Sequence, residues 1–286
     1  MTPTPRDFGS EPASEGRSEA ETKAKAKPRA TAGGEPRRSA PPSAIQGILL
    51  IVRRELGHYF RTRSGYLIAS LILALYALLY NVFAVGSAPK YSNDILSAFF
   101  YFASGITIVA SLLISMRLLA EDRQNGALAL LATSPLSDGQ VVLAKYFSGL
   151  VFLLIITLLT VYMPLLVFVR GKVSVGHIAA GYLGVVLLGA ATMAIGLFGS
   201  SIANSQIVAV IIGGVITVTM LMLWMTSRIV DGPLGEVLAQ LALHDRHFRP
   251  FMDGTIQVSS IVFYLSVTAF FLLLSRNVLE GRRWRA

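Results

Sequence analysis

Two short polar segments of an otherwise apolar chain carry the residues best suited to chemistry. In the first, His244 and His247 lie three residues apart with Asp245 between them. On a helix this spacing brings two imidazoles to one face, where they could bind a metal ion. A third ligand is not evident and the neighbouring residues are basic, so we interpret His244, His247 and Arg249 as a polar gate or lid without a metal.

The second polar segment, 121–145, lies between two long apolar runs. It opens with three charged residues, breaks at a Ser-Pro pair at 134–135 and restarts at Ser137, where Ser137 and Gln140 match the capping box that begins a helix. A helix, a break and a second helix in one short loop are typical of a docking element. We therefore expect this segment to bind a partner.

Motifs for catalysis are missing from the sequence. It contains no cysteine, no GxxxxGK[ST] nucleotide loop, no Gly-x-Ser-x-Gly and no His-Glu-x-x-His. We do not expect this chain to be an enzyme or to hold a cofactor, and any ATP hydrolysis would belong to a separate subunit.

The composition places the chain among membrane proteins. It is 53% hydrophobic and only 14% charged, and its apolar runs are long enough to cross a hydrocarbon core of roughly 30 Å. We predict an all-α fold with six spans, at 66–85, 95–119, 146–169, 178–202, 207–226 and 256–274. Ionisable residues are nearly absent from these spans, which argues against ion-coupled transport.

Two further segments precede the spans. Residues 1–43 are rich in proline and basic residues and are predicted to be a disordered tail, which leaves 44–286 as a six-helix membrane domain. From 45 to 63, apolar residues recur at helical spacing. We expect this segment to be an interfacial elbow helix whose Arg53, Arg54, Arg61 and Arg63 face lipid headgroups.

The distribution of positive charge predicts the orientation. With six spans, nineteen Lys and Arg residues fall on the side of the chain ends and six on the other. The positive-inside rule then predicts that both termini and the segment 121–145 are cytoplasmic. The basic ends are explained by the membrane, and no nucleic-acid partner is expected.

Smaller features predict how the spans pack. Glycines crowd the fourth and fifth spans and indicate close helix packing, either within the subunit or at a dimer interface or moving seam. Pro164 is expected to kink the third span. In the last outer loop, 227–255, we expect a short helix in the outer leaflet. Phe248 and Phe251 are expected in the headgroup belt, the layer of aromatic side chains at the level of the lipid headgroups.

Several motifs resemble those of ABC-2 type transporter permeases, most closely the gliding-motility-associated branch. They are RREL at 53–56, FRTRSGY at 60–66, EDRQNGAL at 121–128, TSPLSD at 133–138 and LEGRRW at 279–284. The resemblance covers roughly residues 45–285, and its most specific part is the segment 121–145.

The resemblance implies the membrane subunit of an ATP-driven exporter in a bacterial cytoplasmic (inner) membrane. Such a subunit pairs with an identical or related second permease and with ATPase subunits that bind the ATP. The resemblance makes 121–145 the ATPase-coupling loop, with these expected contact residues: Glu121, Asp122, Arg123, Gly126, Pro135, Ser137 and Asp138. The alternative is a membrane anchor that transports nothing and tethers an ATPase-driven motility or secretion complex.

Overall fold

The computed structural model describes residues 44–85, 91–127, 137–170, 173–230 and 232–283, and these form helices without a strand. The elements in chain order are α1 (Ala44–Arg61), α2 (Arg63–Leu79) with a π-helical turn (Tyr80–Val85), α3 (Ser92–Gln124), α4 (Asp138–Leu159), α5 (Tyr162–Arg170), α6 (Val175–Ile202), α7 (Gln206–Ser227), α8 (Pro233–Leu241), α9 (Asp245–Met252) and α10 (Val258–Arg283).

Six of the described helical segments are long and apolar enough to cross a membrane, which confirms the predicted all-α fold with six spans. Their bounds differ from the prediction at the polar ends. α3 continues to Gln124, α4 begins at Asp138 and α10 continues to Arg283. Within the segment 121–145, the described residues 121–124 and 138–145 are therefore helical and extend the two neighbouring spans.

The helices α3 and α6 form the centre of the bundle. In the most apolar 18-residue stretch of each helix, 61% of the residues of α3 and 67% of those of α6 are buried. The corresponding value is 17% in both α2 and α7. Glycines permit the close packing: a Cβ on Gly181 would lie 2.2 Å from the ring of Phe100, and one on Gly196 would lie 1.9 Å from Ser115 Oγ. These glycines serve packing within the subunit, whereas a Cβ on Gly214 would meet nothing within 4 Å.

The third span is broken where proline predicts it. α4 ends at Leu159 and α5 begins at Tyr162. Pro164 has no N–H to donate to the carbonyl of Thr160, four residues earlier. That carbonyl accepts from Met163 N instead, at 3.0 Å. The predicted kink is confirmed and lies about one turn before the proline.

The amphipathic helix α1 turns sharply into α2. Thr62 Oγ1 donates to His58 O at 2.9 Å, and a Cβ on Gly65 would lie only 1.9 Å from Tyr59 O. Glycine is therefore required at this corner. Tyr59 is buried and stacks on Phe152 of α4, with ring centroids 4.6 Å apart. The interfacial position of α1 stays a prediction.

Candidate functional site

A buried lysine joins three helices at one end of the bundle. Lys145 on α4 donates from Nζ to Glu55 Oε1 of α1 at 2.8 Å, and its Nζ lies 2.5 Å from Asp122 Oδ2 near the end of α3. The Lys145 side chain is 2% exposed and each carboxylate is 18% exposed. We call Glu55, Asp122 and Lys145 the ion cluster.

Local structure explains why this lysine is buried. Ser137 caps α4, since its Oγ accepts from Gln140 N at 3.3 Å while Gln140 Oε1 accepts from Ser137 N at 3.1 Å. The predicted capping box is confirmed, and it starts the helix two turns before Lys145. The lysine therefore lies inside the bundle, where a cation is tolerated only beside opposite charges.

A second ion pair lies beside the cluster. Arg117 Nε and Nη2 donate to the two oxygens of Glu121 at 2.8 and 3.1 Å, in a bidentate arrangement one helical turn apart on α3. Burial raises the pKa of the neighbouring Tyr59, and the charge of Glu55 raises it further. The Tyr59 hydroxyl is therefore neutral at physiological pH and adds no charge to the site.

The end of α3 is also fastened to the end of α6. Arg123 donates to the carbonyls of Ser201 and Ala203, and Ser200 Oγ accepts from Ala120 N at 2.9 Å. From α10, Arg282 donates to Ile202 O. Cations are favourable at the carbonyl end of a helix. The ends of α3, α6 and α10 therefore meet at the same end of the bundle as the ion cluster.

The predicted coupling residues are divided among these contacts. Glu121, Asp122 and Arg123 occupy the last turn of α3, and each binds a different partner. Gly126 follows with a φ of +71°, a conformation that favours glycine. Ser137 caps α4, and Asp138 is its first residue. Pro135 and the predicted break lie outside the described residues.

A cavity of about 870 Å³ opens between α1 and the end of α3. One wall is the face of α1 that carries Arg53, Arg54 and Arg61, three of the four arginines predicted for the elbow. Asp122 and Lys145 of the ion cluster and the Arg117–Glu121 pair line the cavity from α3 and α4. The fourth arginine, Arg63, is exposed at the start of α2 and does not line this cavity.

The histidine segment lies at the opposite end of the bundle. His244 Nε2 is 2.7 Å from Ser104 Oγ of α3, and His247 Nε2 donates to Gln240 O at 3.0 Å. Burial lowers the pKa of both histidines. Arg249 is exposed on α9. Among the described residues, no group of three or more His, Cys, Asp or Glu side chains is arranged to bind a metal.

The prediction for the two phenylalanines was wrong. Phe248 and Phe251 are fully buried in the protein core rather than placed in a headgroup belt. A Cβ on Gly184 of α6 would lie 2.6 Å from Phe251 Cβ, which shows how closely α9 packs on α6. Phe251 and Phe248 therefore anchor α9 to the bundle.

The sequence interpretation missed the two residues that complete the ion cluster. Lys145 was taken as the end of a surface loop, and Glu55 as part of a basic helix. One signal was available: the capping box at Ser137 places Lys145 two turns inside a helix whose neighbours are apolar. No sequence signal pairs Lys145 with Glu55, which is 90 residues away.

Comparison with known proteins identifies the family. The family described as ABC-2 type transporter matches residues 46–224, which is more than half of the chain and extends from α1 into α7. None of the curated proteins searched gives a significant match. The matched range contains the whole ion cluster and the segment 121–145. The chain therefore belongs to the ABC-2 type transporter family and is a multi-pass membrane protein.

Proposed function

We propose that this chain is the permease subunit of an ATP-driven exporter and that it couples to a separate ATPase subunit through the segment 121–145. The family match supports the general role, since ABC-2 domains are the membrane components of transporters. The ion cluster is the observation that supports this position for the coupling site. It connects both helices that bear the segment, α3 and α4, to α1 through one lysine.

The contacts support a mechanical role. A force on the segment between α3 and α4 acts on Asp122 and Lys145 together, and Glu55 transmits it to α1. Arg123 carries the same displacement to the end of α6. Nucleotide binding in the ATPase would move these helix ends as rigid bodies and open a path between two permeases, with the chemistry confined to the partner.

The partners and the location follow from the same proposal. A second permease, identical or related, completes the translocation path, and the ATP is bound by the ATPase subunit. The positive-inside pattern supports a cytoplasmic position for the ion cluster and for both termini, in a bacterial inner membrane. The motifs at 53–56, 121–128 and 279–284 support a place near the gliding-motility-associated branch.

The first test is co-purification of the full chain with its ATPase, followed by an ATPase assay. D122A/R123A removes one ion-cluster contact and the contacts of Arg123 with α6, so we expect a loss of ATPase binding or of its stimulation. R276A/E280A is the matched control, because this pair on α10 is about half exposed and 3.8 Å apart. The thermal stability of both variants is measured alongside, so that a loss of folding is recognised.

The outcomes separate the candidate functions. Full ATPase stimulation by D122A/R123A would contradict the coupling site. An ATPase that binds and hydrolyses ATP while no cargo moves in proteoliposomes would favour the anchor function over export. A chain that binds no ATPase under several conditions would overturn both.

A further inference from the structure

The cavity between α1 and the end of α3 has the size of a binding site. Its volume of about 870 Å³ lies within the roughly 300–1,000 Å³ typical of small-molecule sites. The α1 wall follows helical spacing from Leu50 through Arg54 to Arg61. Gly57 lies in the middle of this wall, and a Cβ there would meet nothing within 4 Å. The missing side chain therefore leaves room for a ligand.

The charges that line the cavity favour an anion. Among the described residues, Arg53, Arg54 and Arg61 make no hydrogen bond or ion pair, although all three line the cavity. Arg117 is already paired with Glu121. The positive charges of these three guanidinium groups outweigh the single excess negative charge of the ion cluster, although the charge of Arg54 also acts on Asp122. Arginine binds phosphate oxygens through planar, bidentate hydrogen bonds, so phosphate suits this wall.

The surroundings favour a lipid as the source of the phosphate. On α1, Ile45, Leu49 and Leu50 are 79%, 67% and 62% exposed. The start of α2 continues this apolar surface with Tyr66 and Leu67, which are 61% and 67% exposed. The cavity thus opens where the first span begins, and the start of a span is expected at the level of lipid headgroups.

We propose that this cavity binds one phospholipid headgroup of the adjoining leaflet, with Arg53, Arg54 and Arg61 as the phosphate ligands. The proposal does not depend on the proposed export function, because it uses only the membrane position of the chain. It differs from general attraction to an anionic surface, since it requires one saturable site whose shape depends on Gly57.

The test is native mass spectrometry of the full chain in detergent, titrated with phosphatidylglycerol. We expect one lipid to bind saturably. R53Q/R54Q should weaken this binding by roughly thirty-fold, since two phosphate-directed cations are lost. G57L keeps every arginine and fills the cavity, so we expect it to abolish the saturable site. Arg53 and Arg54 are exposed, and a Cβ on Gly57 would meet nothing within 4 Å. Neither variant should therefore impair folding, which a melting curve checks.

Matched controls change the same residue types elsewhere. R246Q/R249Q removes two exposed arginines at the opposite end of the bundle. G281L adds a side chain at another glycine where a Cβ would meet nothing within 4 Å. Both should retain phosphatidylglycerol binding within about twofold of the unmodified chain.

Three results would overturn the proposal. The first is unchanged lipid binding in R53Q/R54Q and G57L. The second is equal saturation of the site by glycerol 3-phosphate, which would indicate a soluble phosphate ligand. The third is displacement of the lipid when the ATPase subunit binds, with the same arginines required for that binding, because the cavity would then be a protein-docking site.

Discussion

Replacing Lys145 with methionine tests the ion cluster most directly. Methionine has a similar length and suits an apolar site, so K145M removes the charge with little change of shape. Glu55 and Asp122 then face each other without a cation, and each is only 18% exposed. The variant therefore converts a compensated cluster into two repelling, poorly solvated carboxylates.

The expected cost follows from the burial of the groups. Removing one partner of a fully buried ion pair costs roughly 3–5 kcal/mol. Because the two carboxylates keep some contact with solvent, we expect about 2–4 kcal/mol for K145M. For a chain of this size the loss corresponds to a fall in melting temperature of roughly 5–15 °C.

The assay is the melting temperature of the detergent-solubilised full chain. E55Q/D122N/K145M removes all three charges and should recover at least about half of the loss, since neutral groups of similar shape need no counter-charge. R276M breaks the exposed Arg276–Glu280 pair and should cost less than about 1 kcal/mol. The reasoning is refuted if K145M melts no earlier than R276M, or if the triple variant is no more stable than K145M.

Three further variants test other contacts. G196A should destabilise the chain by about 1–3 kcal/mol, because its Cβ would lie 1.9 Å from Ser115 Oγ, and chemical denaturation measures the loss. S137A removes the cap of α4 and should cost about 1 kcal/mol in the same assay. Burial lowers the pKa of His244 and His247, so the folded state binds fewer protons than the unfolded state. Stability should therefore fall as the pH drops below about 6.5, and melting curves at pH 7.5 and 5.5 should differ less for H244Q/H247Q.

The controls for these variants use matched positions. G214A adds a Cβ that would meet nothing within 4 Å and should be nearly neutral. S70A removes an exposed hydroxyl that donates to Leu67 O within the same helix, so it should cost less than S137A. Equal effects in a variant and its control would contradict the corresponding contact.

The sequence could predict the features that depend on neighbouring residues along the chain. Six apolar runs define six spans, because the thickness of the hydrocarbon core sets the required helix length. Ser137 and Gln140 predict the start of α4, since a capping box involves residues only three positions apart. Pro164 predicts a break because its ring removes one local hydrogen bond. The motifs at 53–66 and 121–138 likewise sufficed for the family resemblance, which the match over 46–224 confirms.

Only the tertiary structure could decide which apolar or charged side chain meets which partner. Phe248 and Phe251 could not be assigned from their pattern, because lipid and protein interior are both apolar and favour the same residues. The partners of Lys145 depend on how α1, α3 and α4 pack, and a single charge at the edge of an apolar run is compatible with a surface or a buried site. Local sequence thus determined the helices and their ends, whereas helix packing created the ion cluster and the cavity beside it.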